Sequence, residues 1–285
     1  MKYLVTGATG HLGSKVVEAL LAKVPASEVA VSVRHPEKAE GLRARGVEVR
    51  HGDFDQPASL DAAFAGIERI LIISADGDNK TRIRQHTGAV EAAKRANVSF
   101  IAYTSLTKAE ESTNLMAPPH QATEAAIKDT GIPYSLLRNN WYLENELGTI
   151  RAVQAGAPWT TSAGDGKVGW ALRQDYAEAA AAVLTGEGHE NSIYELSGPL
   201  LTQEELAAEL GRLLGREVPV QQVDDETYAG IMKQAGLPEF VLPIVVGIQQ
   251  SIRAGSLEVA HSDFEKVLGR PVTPVQEALR QLLQA

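Results

Sequence analysis

No cysteine occurs anywhere in the 285 residues. That excludes disulfides, thiolate nucleophiles and cysteine-ligated zinc or iron–sulfur centres. Basic side chains are in deficit: 27 Lys and Arg stand against 36 Asp and Glu, a formal net charge of −9 that disfavours docking on nucleic-acid phosphates or anionic lipid. Long hydrophobic runs are missing too. The most apolar late stretch, FVLPIVVGI from Phe240 to Ile248, is far shorter than a membrane span and contains Pro243, so it is expected to be buried as core or pocket wall. The N-terminus has none of the basic, apolar and small-residue regions of a signal peptide, and a cytoplasmic location is expected. Repeats and low-complexity tracts are absent.

What is present is 44% hydrophobic residues, enough for one large or two modest cores. Short β-rich runs alternate with helical patterns: KYLVT then LGSKVVEALLAKV, VAVSVR then PEKAEGLRARG, VEVRHGD then PASLDAAFAG, RILIIS then TRIRQHTGAVEAAKRANV. FIAYTS, PHQATEAAIKDTG and YSLLRN continue the series. The rhythm predicts α/β architecture, a doubly wound parallel sheet covered on both faces, as in a Rossmann domain. After Asn139 it loosens, and WTTSAGDGKVGWAL reads as loop or irregular strand. YAEAAAAVLTG, with Asp175 as its expected cap, and SIYELSG then return to the first pattern. From Leu200 helices dominate, opening with a capping box formed by Thr202 and Glu205. The expected division is residues 1–140 plus about 172–199 as a dinucleotide-binding domain, and 141–171 plus 200–285 as a smaller, mainly helical substrate domain.

The most specific local signal is GATGHLG, Gly7 to Gly13, between the first strand and the first helix. A helix start carries unpaired N–H groups and a partial positive charge, so a tight turn there makes an anion site from backbone alone. Gly7 would allow the turn, Gly10 would clear a phosphate's path, and Gly13 would let the helix pack on the strand. Arg34 ends the second strand, where NAD-specific sites place an acidic residue; a guanidinium there suits a 2′-phosphate and predicts NADP. Asp53, after the third strand, reads equally as an adenine contact or as the cap of the following helix. Asp53 with Asp55, and His261 with Asp263, are expected to be caps and solvated loop charges.

The combination of GATGHLG, VRHPEKA, VRHGDFDQP, FIAYTSL, the HQATE helix, PYSLLRNNWYLEN and SAGDGKV before ALRQDYAEAAA resembles the NmrA-like group of atypical short-chain dehydrogenases. The resemblance implies that Gly7, Ala8, Thr9, Gly10, His11, Leu12 and Gly13 hold a pyrophosphate, Arg34 the 2′-phosphate, and Ser74, Ala75 and Asp76 the ribose side. It implies that Arg138, Asn139, Asn140, Trp141, Tyr142 and Leu143 face the nicotinamide and that Arg173 reaches back to it. Typical members of the wider dehydrogenase group use a Tyr with a Lys four residues on; Met116 and His120 stand at those positions here, which argues against alcohol oxidation through a tyrosine acid.

The activity implied is hydride transfer from NADPH to a quinone, whose ring spreads the incoming negative charge and needs orientation and a few donors more than a strong acid. Asn139, Asn140, Tyr142, Thr104 and Ser105 are the candidate donors, Asn140 and Tyr142 foremost, and Trp141 or Tyr142 could stack on a flat substrate or serve interdomain packing. His120 and Glu124 lie one helical turn apart and read as an acid with its carboxylate, a metal pair, or, as the expectation, a helix-surface pair; no metal is expected. The alternatives are a non-catalytic NADP sensor and a reductase of triarylmethane dyes. Expected partners are a flat small-molecule electrophile and at most a second copy of the chain, as a homodimer.

Overall fold

The computed structural model describes residues 1–112 and 114–284. Elements follow in the order β1 (Tyr3–Thr6), α1 (His11–Leu21), β2 (Val29–Val33), α2 (Glu40–Ala44), β3 (Glu48–His51), α3 (Pro57–Phe64), β4 (Arg69–Ile72), α4 (Asn79–Arg95), β5 (Phe100–Leu106), α5 (Ala117–Asp129) and β6 (Tyr134–Asn139). Then come β7 (Trp141–Tyr142), α6 (Leu147–Gln154), β8 (Trp159–Thr161), β9 (Lys167–Ala171), α7 (Arg173–Thr185), β10 (Ser192–Leu196) and β11 (Leu200–Thr202). The chain closes with α8 (Gln203–Leu214), β12 (Val220–Gln222), α9 (Asp225–Gln234), α10 (Leu242–Arg253), α11 (Asp263–Leu268) and α12 (Val275–Gln284).

Seven strands pair in the order β10-β6-β5-β4-β1-β2-β3, every pairing parallel. The chain winds outward from β1 through β2 to β3, then restarts on the other side of β1 with β4, which is the doubly wound topology the alternating pattern predicts. Every residue of β1, β2, β4 and β5 is buried, as continuous apolar runs require when helices cover both faces. One core joins Val5, Val31 and Leu71 to Val16, Val17 and Leu20 of α1 and to the alanine-rich face of α7; Phe264 and Val267 of α11 belong to it. The other packs Leu4, Ile70, Ile101 and Leu136 against α3, α4 and α5. Each fully buried leucine or valine in these layers contributes about 1.5–3 kcal/mol.

A third core gathers Leu143, Trp159, Val168, Trp170, Leu206, Leu210, Ile252 and Leu279 around the small sheets β11-β9-β7 and β12-β8. The WTTSAGDGKVGWAL stretch is thus two short strands about a turn. The Thr202 capping box forms as expected, each partner serving the other's backbone N–H. Two expectations fail. Asp175 lies in the first turn of α7, whose cap is Leu172; fully buried, it accepts instead from Arg270 Nη2 at 2.7 Å and Thr273 Oγ1 at 2.9 Å. The Phe240–Ile248 stretch is not buried throughout: Phe240 is 78% and Ile244 49% exposed, while Val245 and Ile248 wall a cavity.

Among the described residues no helix is long and apolar enough to cross a membrane.

Candidate active site

At the carboxyl end of β1 the backbone turns through Gly7, whose φ of +63° suits glycine. A Cβ on Gly13 would stand 2.2 Å from the Gly7 carbonyl oxygen and 2.9 Å from the Ala8 Cα, so only glycine lets α1 lie this close to the turn. The first turn of α1 has neither a side-chain cap nor an acidic residue. By contrast α4, α8 and α9 are capped by Asp78, Thr202 and Asp224. Other helices, α3, α5 and α7 among them, also lack a side-chain cap; what sets α1 apart is that its glycine turn stands between β1 and β4, where the strand order reverses and open α/β sheets bind ligands.

The turn after β4 forms the next wall. Ile73 lies 3.8 Å from where a Gly7 Cβ would be, Ser74 N–H donates to Thr104 Oγ1 at 2.9 Å, and Asp76 is exposed. Arg34 is exposed just past β2. Asp53 does not cap α3, whose N-cap residue is Gln56 with no side-chain cap bond; the Asp53 carboxylate accepts from Asp55 N–H at 3.0 Å and Gln56 Nε2 at 3.2 Å in a local turn. Asp55 takes the charge of Arg84, and His261 sits 3.0 Å from Asp263.

At the end of β6 the expected donors separate into spent and free. Asn140 Nδ2 donates to Ser197 Oγ at 3.1 Å and to the Leu257 carbonyl at 2.8 Å, so both of its N–H protons are used inside the protein. Ser105 Oγ donates to Glu124 at 2.5 Å, and Thr104 Oγ1 to Ser74 Oγ at 3.3 Å. All three thus spend their protons inside the protein and are not free donors in this structure. Asn139 Nδ2 donates to the Tyr142 hydroxyl at 2.9 Å, which leaves the Tyr142 O–H proton uncommitted. Burial first, with Glu144 and Asp76 as further causes, raises the Tyr142 pKa, so the phenol stays protonated. Its ring meets Tyr176 edge-on at 5.1 Å and carries the Arg173 guanidinium over its face.

The Arg138 guanidinium, which was expected to face the nicotinamide, is 8% exposed and held by carboxylates, Glu124 through Nε at 2.9 Å and Nη2 at 2.6 Å, Glu195 at 3.3 Å and Glu110 at 3.2 Å. His120 and Glu124 are not a surface pair, since they are 6% and 2% exposed and have different partners. His120 bonds Arg82 and Tyr103, each at 2.9 Å. Burial, then Arg82, lowers its pKa to about 3, so the ring is neutral and is no imidazolium acid at neutral pH. Among the described residues no group of three potential metal ligands converges.

Trp141 and Leu143 pack into the third core, Leu143 completely buried. Beyond Trp141 a cavity of about 510 Å³ opens, walled by Thr149, Tyr228, Ile231, Val245 and Ile248. Glu146 borders it, accepting from the indole N–H groups of Trp141 and Trp170 at 3.2 Å each, with its carboxyl pKa raised by burial. Sequence reasoning missed Glu146, Arg82, His86 and Tyr103; nothing local marks a polar side chain inside an amphipathic run as buried.

A parallel sheet wound both ways from β1, with a glycine turn and an uncapped helix start at the reversal, defines an α/β protein of the Rossmann type. The NmrA-like family profile matches residues 1–276, and the chain belongs to that family. It is 40% identical over 279 residues to quinone oxidoreductase 2 of Escherichia coli (strain K12), covering 98% of this chain and 97% of that protein. The crystal structure of Citrobacter sp. triphenylmethane reductase complexed with NADP(H) superposes with a TM-score of 0.95 at 42% identity, covering 99% of this chain and all of that one. The NADPH-dependent quinone oxidoreductase from Escherichia coli complexed with NADPH gives 0.94 at 39% identity, covering 99% of each chain.

Proposed function

We propose that the protein is an NADPH-dependent oxidoreductase that reduces a quinone by hydride transfer, working in the cytoplasm. The observation that carries the proposal is the uncapped glycine turn at the sheet's reversal point; the tyrosine whose hydroxyl proton is free, Tyr142, follows the carboxyl end of β6 in the same sheet. In this reading the backbone of Gly7, Ala8, Thr9, Gly10, His11, Leu12 and Gly13 receives the pyrophosphate. Arg34 pairs with the 2′-phosphate, Asp53 lies toward the adenine, and Ser74, Ala75 and Asp76 border the ribose. Residues 1–140 with 172–199 form the coenzyme half of the cleft, and 141–171 with 200–285 the acceptor half. Bound NADPH would supply the hydride.

The chain's own part is positioning and polarity. Asn139 aims the Tyr142 phenol, and the phenol donates a hydrogen bond to the acceptor oxygen on which negative charge collects. Because its pKa is raised, Tyr142 keeps its proton, and the proton that completes the hydroquinone comes from solvent. Arg173 braces the outer face of that ring, and the cavity beyond Trp141 offers apolar room for the acceptor's body.

The 42% identity to triphenylmethane reductase supports a second acceptor class, the delocalised cations of triarylmethane dyes. One assay separates the readings: loss of the reduced coenzyme's absorbance with simple quinones and with a cationic dye, beside calorimetric NADPH binding. Turnover with quinones supports the proposal, turnover with dye alone moves the acceptor, and binding without turnover leaves a sensor.

A further inference from the structure

Behind the turn between β4 and α4 lies a polar cluster that hydride transfer does not use. Arg82 and His86 come from α4, Tyr103 from β5, and His120 and Thr123 from α5; His86, Tyr103 and Thr123 are wholly closed off from solvent. Together they grip the backbone of one residue, Ala75, from both sides. Ala75 N–H donates to His86 Nε2 at 2.8 Å, and the Ala75 carbonyl accepts from Arg82 Nε at 2.8 Å.

The partners fix where every proton sits. An amide N–H can only donate, so His86 Nε2 is bare and the ring's proton is on Nδ1, which faces Thr123 Oγ1 at 3.2 Å and the Tyr103 hydroxyl at 3.4 Å. A guanidinium likewise only donates. Arg82 Nη2 lies 2.9 Å from His120 Nε2, so His120 also carries its proton on Nδ1, 2.9 Å from the Tyr103 hydroxyl. Thr123 closes the chain by donating to the Pro119 carbonyl at 2.6 Å. Two neutral imidazoles of one defined tautomer thus present their bare nitrogens toward a main-chain amide and toward the arginine that holds the same residue's carbonyl.

Apolar side chains could fill this space, but they could not hold a turn by its N–H and C=O at once. The residue held is the middle of Ser74–Ala75–Asp76, whose N-terminal flank reaches the neighbouring walls: Ile73 beside Gly7 and Ser74 on Thr104. We propose that Arg82 and His86, braced by His120 and Tyr103, are positioning residues that lock the Ala75 backbone in the turn after β4 and thereby set the affinity for the dinucleotide. This rests on the dinucleotide reading above.

The test compares His86→Leu with His86→Gln, whose amide oxygen keeps an acceptor near the place of Nε2. NADPH dissociation constants come from calorimetry, and kcat and both KM values from steady-state reduction of a simple quinone. His86→Leu should bind NADPH about tenfold more weakly, the equivalent of ~1.4 kcal/mol, with kcat at saturating coenzyme and quinone KM within about threefold of the parent. His86→Gln should recover affinity to within about threefold. If His86→Leu does not fold, His86→Asn, polar but too short to reach the Ala75 N–H, replaces it with the same expectation. The inference is overturned if Leu (or Asn) and Gln variants bind NADPH alike, or if kcat falls as far as affinity. A parent protein that binds no NADPH overturns the dinucleotide reading itself, whereas parent binding with indifferent variants overturns only the role of the cluster.

Discussion

The Arg173 guanidinium carbon stands 4.9 Å from the ring centroid of Tyr142, and its Nη2 is tied to Asn145 Oδ1 at 2.7 Å. With Tyr176 against the ring and Asn139 on the hydroxyl oxygen, the phenol is braced on every side except that of its own proton. Removing that proton without removing the ring tests whether it meets the acceptor. A donor to a localised oxyanion typically contributes about 10²–10³ in kcat, and a quinone spreads its charge, so Tyr142→Phe should lower kcat by about tenfold. NADPH KM should stay unchanged, and the melting midpoint should fall slightly because Asn139 Nδ2 loses its acceptor. An unaltered kcat would take Tyr142 out of the chemistry.

Coenzyme choice depends on a different residue. Arg34 is exposed directly after β2, the strand parallel to and next to β1, at the same carboxyl end of the sheet as the glycine turn. A charge-assisted bond to phosphate contributes about 1.5–3 kcal/mol, so Arg34→Ala should raise the KM for NADPH about ten- to a hundredfold. NADH, which has no 2′-phosphate, should be nearly unaffected. Parallel kinetics with the two coenzymes read this directly, and equal losses would mean that Arg34 does not recognise the phosphate.

What the sequence made legible is what neighbours within a few positions decide. The glycine turn, the apolar face of Leu12, Val16, Val17 and Leu20, the continuous strands and the Thr202–Glu205 box all belong to that class. The site residues that departed from expectation have partners far along the chain: Asn140 with Leu257, Arg138 with Glu195, His120 with Arg82. Adjacent strand residues point to opposite faces, so one position decides whether Arg138 or Asn139 looks into the crevice. The motif RNN carries no sign of which. Asp175 shows the same limit, because the Arg270 and Thr273 that claim it lie more than ninety residues away.

The Arg138 and Glu124 pair carries a stability prediction. Both side chains are buried and doubly bonded to each other, so truncating Glu124 strands a cation whose other carboxylates are farther off, Glu195 at 3.3 Å and Glu110 at 3.2 Å. Glu124→Ala should cost about 3–5 kcal/mol in urea unfolding. Replacing both partners with apolar residues, Glu124→Leu with Arg138→Met, should recover most of that loss, because the cost comes from leaving a charge unpaired. A single variant as stable as the parent would show that Glu195 and Glu110 suffice.

The two buried histidines predict how stability depends on pH. Burial first and Arg82 second lower His86 from its ordinary 6.5 to about 4, and His120 falls to about 3 for the same reasons with His86 adding to them. Glu124 and Tyr103 are the other titratable side chains around them, and Tyr103 stays protonated because burial raises its pKa. An unfolded chain protonates both rings near pH 6.5 while the folded one does not. Above that value these groups leave stability unchanged; below it the unfolded state binds more protons, and each ring removes about 1.4 kcal/mol per pH unit until its folded value is reached. Going from pH 7.5 to 5 should therefore cost roughly 2 kcal/mol per histidine, read as a fall in the urea midpoint. His86→Gln, which has nothing to titrate, should lose only about half as much over the same interval. Identical pH slopes for the two proteins would mean that His86 is already protonated in the fold, and that Ala75 N–H has some other acceptor.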